Sequence, residues 1–233
     1  LGYQANATGS WTVAVGGDVN ATGNFAIAMG NRANASSTNA TAIGRETQAS
    51  GDEATAVGRG SVASAANATT LGAVALAGQA GAVALGRGAT ANTSAGDVAL
   101  GDSSVTAITN NISPLTINGK DISTNFQKSK GDKGIVSVGS STIKRQIQNV
   151  GAGDVSATST DAINGSQLYM IAEQVGKNKK LIDNISTLSS GAKLEAGDNI
   201  DVETNDDANQ VKTYKVSTKK DIKANSYTIN NSN

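Results

Sequence analysis

The sequence contains no cysteine and no histidine, and it has one proline and one tryptophan among 233 residues. The absence of cysteine excludes disulfides and thiolate metal sites. The absence of histidine removes the commonest metal ligand and the commonest general base at neutral pH. Charge is balanced, with 19 Lys and Arg against 19 Asp and Glu, so there is no basic field for nucleic acid. We therefore predict neither an enzyme nor a nucleic-acid-binding protein.

Long hydrophobic runs are also missing. No apolar stretch approaches the roughly 20 residues of a membrane helix, and no signal peptide opens the sequence. We expect any secretion signal and any membrane anchor to lie outside these residues. Paired acids occur at Asp52–Glu53 and Asp206–Asp207, but no calcium-loop pattern frames them, so we expect no metal site and no cofactor there.

What the sequence does contain is a repeat. An apolar residue followed by glycine recurs in six equal steps and one slightly longer last step, at Gly2, Gly16, Gly30, Gly44, Gly58, Gly72, Gly86 and Gly101. A second mark lies midway before most of these glycines, as NATG at 6–9 and 20–23, NASS at 34–37 and QASG at 48–51. Because the two motifs recur with the same period, they indicate an array of repeats over residues 1–101. Leu1–Gly2 is typical of the end of a repeat, so we expect the array to begin earlier.

Each half-repeat alternates between larger and smaller residues, which is typical of β-strands. Glycine and small polar residues between the strands favour tight turns. We expect the larger residues to fill each coil (Val13, Val15, Ile27, Met29, Ile43, Val57, Leu71, Leu85, Leu100). We expect the alanines to form an outer face against which another sheet packs (Ala14, Ala28, Ala42, Ala56, Ala84, Ala99). Trp11 and Phe25 are either plugs on the larger face or aromatics that stack on a ligand. The pattern predicts an all-β solenoid.

The period ends after residue 101. Residues 102–130 predict an irregular connector with short strands near 115–117 and 121–122.

Residues 131–167 contain RQIQNV at 145–150, followed by G-A-G-D at 151–154 and TDAIN at 160–164. The polar run Ser159–Asp161 predicts the N-terminus of a helix. Residues 191–233 alternate again and predict the start of a second β-rich module.

A heptad seam follows over residues 168–190. Apolar side chains recur at alternating spacings of three and four, and one polar residue takes a core position, in the order Leu168, Ile171, Val175, Asn178, Ile182 and Ile185. This spacing predicts a short segment of coiled coil. The buried Asn178 either sets the register of the coil or binds an anion, and the sequence leaves these alternatives open.

The repeat of residues 1–101 and the 134–168 segment resemble the YadA-like head and the neck of trimeric autotransporter adhesins. The resemblance implies a left-handed parallel β-roll, a homotrimer, and a surface protein anchored in the bacterial outer membrane. It implies virulence-associated attachment to extracellular matrix (collagen, fibronectin, laminin) or to a cell receptor. It also implies a neck that joins three chains through Ile143, Arg145, Gln146, Ile147, Asn149, Asp161, Ala162, Asn164 and Gln167, and a chloride ion on the three-fold axis at Asn178.

For the ligand surface we predict outward residues between the strands of the head. These are Asn24, Asn31, Arg32, Arg45, Glu46, Arg59 and Arg87. Two alternatives stay open, because function does not follow from fold. The chain could be a structural spacer of a trimeric fibre, or a segment of a phage fibre or tailspike.

Overall fold

The computed structural model describes the backbone of residues 1–108, 116–121, 134–191, 195–206 and 212–220. The chain forms two compact units, residues 1–163 and residues 164–233.

The first unit is a parallel β-solenoid built from strands of two and three residues. The two-residue strands are β1 (Asn6–Ala7), β3 (Asn20–Ala21), β5 (Asn34–Ala35), β7 (Gln48–Ala49), β9 (Val62–Ala63), β11 (Leu76–Ala77) and β13 (Thr90–Ala91). The three-residue strands are β2 (Val13–Val15), β4 (Ile27–Met29), β6 (Thr41–Ile43), β8 (Thr55–Val57), β10 (Thr69–Leu71), β12 (Val83–Leu85) and β14 (Val98–Leu100). The two kinds alternate along the chain, so each coil contributes one strand to each of two sheets.

The register of both sheets follows the sequence repeat. Residue 28 pairs with residue 42, and residue 42 pairs with residue 56, so each strand lies beside its equivalent in the next coil. The pairing is parallel throughout the roll, and it confirms the predicted solenoid. The coil between Gly86 and Gly101 is one residue longer than the others. The extra residue lies before β14, because Val83 pairs with Val98.

The interior of the roll is made of small side chains in two series, each with one member in every half coil. One series lies in the strands, and the other lies just before them. The buried members of the strand series are Ala14, Ala21, Ala28, Ala35, Ala42, Ala49, Ala56, Ala63, Thr70, Ala77, Ala84, Ala91 and Ala99. The buried members of the second series are Val19, Ala26, Ala33, Ala40, Thr47, Ala54, Ser61, Ala68, Ala75, Ala82, Ala89, Asp97 and Ser104.

The predicted orientation of the strands was therefore wrong. The alanine face fills the coil, and the larger face points outward. Val13, Met29, Ile43, Leu71, Leu85 and Leu100 are between 38% and 51% exposed, whereas the alanines beside them are 0–6% exposed. The reason is the width of the coil. Two strands of two and three residues enclose a space that holds methyl groups, and a Leu or Met there would be overpacked.

The turns repeat in step with the half coils. One residue in each half coil adopts a left-handed conformation with φ between 50° and 74°, and these residues include Trp11, Phe25 and Val74. From Asp18 onward, their N–H groups donate to the coil before, as when Phe25 N donates to Ser10 O at 2.8 Å. A glycine also follows each three-residue strand, because neighbouring coils approach closely there. At Gly58, φ is +128°, and an added Cβ would lie 2.5 Å from the carbonyl oxygen of Gly72.

The end of the roll is formed by two separate segments of chain. Residues 102–106 continue the coil, with Thr90 bridged to Val105. β15 (Thr116–Ile117) and β16 (Lys120–Asp121) then form an antiparallel hairpin, close to the two short strands expected there. β17 (Val136–Ser137) returns to the roll and pairs in parallel with β14. The last coil is therefore completed by β17, which comes from a later segment of the chain.

The second unit contains α1 (Gly165–Gly191) and an antiparallel pair, β18 (Ile200–Asp206) and β19 (Lys212–Thr218). The helix begins later than the predicted Ser159–Asp161 signal. Asn164 is the cap: its Oδ1 accepts a hydrogen bond from Gln167 N at 3.2 Å, and Gln167 Oε1 accepts one from Asn164 N at 3.2 Å. This reciprocal pair satisfies two N–H groups that the helix leaves unbonded. In the first unit, Ser159 Oγ instead accepts a hydrogen bond from Asp161 N within a local turn.

Candidate functional site

Six of the seven predicted ligand residues lie on one edge of the roll. They occupy the turns that follow the three-residue strands, and we call them the basic edge: Asn31, Arg32, Arg45, Glu46, Arg59 and Arg87. Asn24 lies on the opposite edge, in a turn that follows a two-residue strand. The structure thus brings the cations together and separates Asn24 from them.

Ion pairs along the basic edge form both within a turn and between neighbouring coils. Glu46 lies 3.7 Å from Arg32 Nη1 and 3.3 Å from Arg45 Nη2, and Arg87 Nε lies 2.9 Å from Asp102 Oδ1. The side chains are exposed enough that each pair stabilises the fold by about 1 kcal/mol or less. The fold therefore does not need most of this charge.

Arg59 differs from the other arginines of the edge. It is exposed and takes part in no ion pair within the part of the chain that the structure describes. An unpaired guanidinium presents donors to carboxylates, sulfates or carbonyl oxygens. Among the predicted ligand residues, it is the cation whose charge the fold leaves unused.

The two predicted asparagines already serve the fold. Asn31 Nδ2 donates to Gly17 O at 3.1 Å, and Asn24 Oδ1 accepts a hydrogen bond from Ser10 N at 3.0 Å. Both bonds join one coil to the coil before it. Asn31 thus supports the edge that carries the arginines.

The outward apolar residues form a second surface, which we call the apolar face. It consists of Val13, Met29, Ile43, Leu71, Leu85 and Leu100, all on the sheet of three-residue strands. All but Val13 lie in one column along the roll, in which the half-buried Val15 and Val57 take the places in the first and fourth coils. A continuous exposed apolar patch of this kind marks a protein interface.

Asp97 is an important residue of the roll that the sequence reasoning missed. It is fully buried where other coils carry alanine, and it accepts hydrogen bonds from Thr93 N at 3.1 Å, Ser94 N at 2.8 Å and Ile135 N at 3.0 Å. Burial raises the pKa of Asp97, but the Thr106 hydroxyl and these three N–H groups more than offset it, so the pKa lies below the ordinary 3.8. The longer last step of the repeat was the available signal, since it marks the coil in which the pattern changes.

Arg145, predicted as a neck residue, lies against the last coil. Its guanidinium donates to Ser104 Oγ at 3.0 Å and also to the carbonyl oxygens of Val138 and Asp102. These groups belong to both segments that close the roll. A planar guanidinium can bond several oxygens at once, so Arg145 ties the neck segment to the head.

A cleft of about 500 Å³ opens beside this joint. Its walls are mainly apolar and include Val105, Ile135, Val136 and Ile143. Val136 is 70% exposed, so one chain alone does not cover the cleft.

The structure places the remaining predicted neck residues at the surface. Ile147 is 71% exposed and Asn149 adopts φ +60°, while Gln146 and Ala162 are also exposed. Asp161 Oδ2 accepts a hydrogen bond from Asp154 N at 3.0 Å, which closes a loop within the neck. Asn164 and Gln167 form the helix cap described above. Those of the first unit are thus at its surface and are not packed into one cluster.

The predicted heptad seam lies on α1 and is uncovered. Its apolar members, Leu168, Ile171, Val175, Ile182 and Ile185, are between 61% and 66% exposed. Asn178 is also exposed, and its Oδ1 accepts a hydrogen bond from Gln174 Nε2 at 3.0 Å.

The described residues contain no group of three or more acidic side chains placed to hold a metal ion. None of their helices combines the length and apolarity that a membrane span requires.

Comparison with protein families matches both units. Residues 21–47 and 49–75 match the YadA head domain repeat, and residues 146–189 match the coiled stalk of trimeric autotransporter adhesins. Over 120 residues the chain is 39% identical to the autotransporter adhesin BtaE of Brucella suis, covering 52% of this chain and 15% of BtaE. It is 35% identical to the trimeric autotransporter adhesin AtaA of Acinetobacter sp. strain Tol 5, covering 36% of this chain and 3% of AtaA. The chain thus spans a small part of these relatives.

Two solved structures resemble the chain in part. One is the C-terminal YadA-like domain of BPSL2063 from Burkholderia pseudomallei, with 36% identity, a TM-score of 0.40, and coverage of 55% of this chain and 56% of that one. The other is the collagen-binding domain of the Yersinia adhesin YadA, with 24% identity, a TM-score of 0.36, and coverage of 66% and 87%. Residues 21–47 and 49–75 thus match the head repeats, and residues 146–189 match the coiled stalk, of the YadA-like trimeric autotransporter adhesins.

Proposed function

We propose that the chain is the head, neck and first stalk segment of a homotrimeric bacterial surface adhesin. The main support for a trimer is that the roll buries alanine and leaves its large apolar residues exposed. A core of methyl groups buries little area, so a single roll gains little hydrophobic stabilisation. The apolar face supplies the missing area if it packs against the other chains.

The second unit supports the same assembly independently. A lone helix with one exposed apolar seam is marginal in water, and a heptad spacing buries such a seam between helices. The uncovered cleft at Val136 and Ile143 gives a third surface for a neighbouring chain. The exposed Ile147 of the neck is an apolar side chain that another copy could bury.

Sedimentation equilibrium of residues 1–233 tests the assembly. We expect three times the chain mass, and we expect Leu85→Asp to dissociate or unfold the trimer, because it places three unpaired charges in the interface. Ile147→Asp should act similarly at the neck. The matched control is Val62→Asp, on the outer side of the other sheet, which should leave the mass unchanged. A stable folded monomer of the unaltered chain would contradict the trimer.

We propose that this trimer stands at the bacterial cell surface, anchored in the outer membrane by parts of the protein outside these residues. The support is the nature of the relatives, which are autotransporter adhesins. Antibody labelling of intact cells that express the full protein tests this placement. Labelling that requires permeabilised cells would contradict it, and labelling of phage particles would favour the fibre alternative.

We further propose that the basic edge binds host extracellular matrix, with collagen as the first candidate and fibronectin, laminin or a cell receptor as the others. Equivalent turns recur about every 4.8 Å along the roll and three times around a trimer, and most of those on this edge carry a cation, which suits a long repetitive ligand through avidity. Arg59 offers its charge without competition from an intramolecular acid.

Immobilised collagen, fibronectin and laminin can be probed with the whole chain and with a variant carrying Arg45→Gln, Arg59→Gln and Arg87→Gln. We expect the variant to lose binding while its melting curve stays close to that of the parent. Lys177→Gln, on the exposed surface of α1, controls for a general loss of positive charge. Unchanged binding by the triple variant would remove the basic edge from this role, and no binding by either protein would favour the spacer alternative.

The chloride ion at Asn178 is likewise a proposal. Three copies of this side chain around an axis would present amide N–H groups to an anion. Bromide substituted for chloride in crystals of the trimer should give an anomalous peak beside Asn178, and a peak only elsewhere would favour the register-setting role.

A further inference from the structure

Two large aromatic residues occupy the same turn position in consecutive coils. Trp11 and Phe25 lie on the edge opposite the basic edge, in coils that follow each other at about 4.8 Å. Trp11 is 83% exposed and Phe25 is 56% exposed. We call Trp11, Phe25 and the adjacent Asn24 the aromatic edge.

The fold gives no reason for these aromatics. Both have left-handed backbones, with φ of 60° and 58°, a conformation that costs an ordinary L residue roughly 1–2 kcal/mol. Their exposed rings gain little from packing. Most later coils carry asparagine or glycine at this position, as at Asn39, Asn67 and Gly81, and these residue types adopt the conformation more easily. The left-handed turn recurs in every half coil, so Trp11 and Phe25 are distinguished by the large exposed rings that they carry at it.

The same edge faces solvent in any trimer built on the apolar face. Asp52 and Glu53 lie together in the turn two coils beyond Phe25, and both are exposed. Neither takes part in an ion pair within the described residues. An interface over this edge would bury two unpaired charges per chain, which is strongly unfavourable.

Polar groups flank the rings. Asn24 is exposed, and its Oδ1 is already bonded to Ser10 N, which leaves its Nδ2 directed to solvent or to a ligand. Thr38 and Asn39, both exposed, lie in the next turn along the edge. The edge therefore combines apolar ring faces with side-chain donors and acceptors.

We propose that the aromatic edge binds carbohydrate, with Trp11 and Phe25 packing against the apolar face of a pyranose ring in a cell-surface glycan. The axial C–H groups of a pyranose form such a face, and its hydroxyls need nearby hydrogen-bonding groups such as Asn24 and Asn39. Two adjacent ring faces match one or two pyranose units, whereas a stable protein interface needs about 800 Å² per side. This inference rests on the proposed adhesive function and names one class of ligand for it.

The test uses the whole chain on an array of immobilised mammalian oligosaccharides. We expect binding to a defined set of glycans, and we expect Trp11→Asn with Phe25→Asn to weaken it by at least about tenfold. Asn suits the left-handed position, so the melting temperature of this variant should be unchanged or higher. Tyr3→Asn, which removes an exposed aromatic from the other edge, is the matched control and should bind as the parent does.

Trp11 also reports on its own site, because it is the only tryptophan of the chain. A soluble oligosaccharide chosen from the array should shift or quench its fluorescence with the same affinity. Loss of adhesion to host cells by the double variant, but not by Tyr3→Asn, would support the proposal further.

Three results would overturn the inference. They are an absence of glycan binding, equal binding by the double variant, and a loss of collagen rather than glycan binding in that variant. If the parent adheres to host cells while no glycan is bound, the adhesive function stands and the carbohydrate site fails. If the parent adheres to nothing, both fail.

Discussion

Asp97 Oδ1 accepts a hydrogen bond from Ile135 N at 3.0 Å across 38 positions of sequence. The bond fixes the point at which the chain returns to the roll after its insertion. Asp97 Oδ2 meanwhile holds the turn at Thr93 and Ser94. One buried carboxylate thus joins the last regular coil to the segment that completes the next one.

Asp97→Asn should destabilise the roll by about 1–3 kcal/mol per chain, because the amide places an NH₂ group where N–H donors converge. The pKa of Asp97 is lowered in the folded state, so its contribution is complete above the unfolded-state pKa and is lost as the pH falls through the folded-state pKa. Melting temperatures measured from pH 7 to pH 2 should therefore show the parent and the variant converging in acid. A constant gap at all pH values would contradict this account.

Gly58→Ala should cost about 3 kcal/mol or more per chain, since its new Cβ would lie 2.5 Å from the Gly72 carbonyl oxygen. Gly81→Ala is the matched control. It has φ +67° and no atom within 4 Å of the new Cβ, so only the backbone cost of about 1–2 kcal/mol applies. Urea unfolding of the two variants should separate these costs, and similar midpoints would be inconsistent with the close approach of the coils.

Val74→Asn should raise stability by about 1 kcal/mol per chain. The β-branched Val74 has φ +52° and is 48% exposed, so the change relieves strain and removes little buried surface. Val62→Asn is the control, because Val62 lies in a strand whose counterparts are Asn20 and Asn34. A thermal melt in which Val74→Asn lowers stability would show that Val74 is packed in the trimer.

Thr70→Val should stabilise the roll by about 1–2 kcal/mol per chain. Thr70 is fully buried in the alanine series, and its hydroxyl oxygen has no hydrogen-bond partner among the described residues. Valine keeps the shape and removes the unsatisfied group. Thr47→Val is the opposite case, because Thr47 Oγ1 donates a hydrogen bond to Gly58 O at 2.6 Å. Losing this bond should destabilise the roll. Calorimetry that gives both changes the same sign would argue against the role of the hydroxyls.

The sequence predicted the period, the strands and the helical seam, because each rests on local spacing. It did not predict which face of a strand points inward. Alternation at Ile27–Met29 is the same whichever face is buried, and the preference for large residues inside assumes a core wide enough to hold them. The recurrence of alanine in every half-repeat, from Ala14 to Ala35 and onward, was the better signal, since only a narrow coil needs small residues in both sheets.

The helix start and the ends of the roll were harder for a related reason. Ser159–Asp161 and Asn164–Gln167 are both plausible caps, and the choice between them depends on the loop that Asp161 makes with Asp154. The roles of Asp97 and Arg145 depend on partners 38 to 43 positions away, which no local pattern reveals.

The constant register between coils makes the length of the head an adjustable quantity. Residues 44 and 58 are both glycines at the same point of successive coils, so removing residues 45–58 would join equivalent backbones and shorten the roll by one step of about 4.8 Å. Removing half a coil instead would move every later strand to the other sheet and turn its large side chains away from the apolar face. Insertions and deletions in whole coils can therefore set the length of the head, while its interior and its assembly surface stay the same.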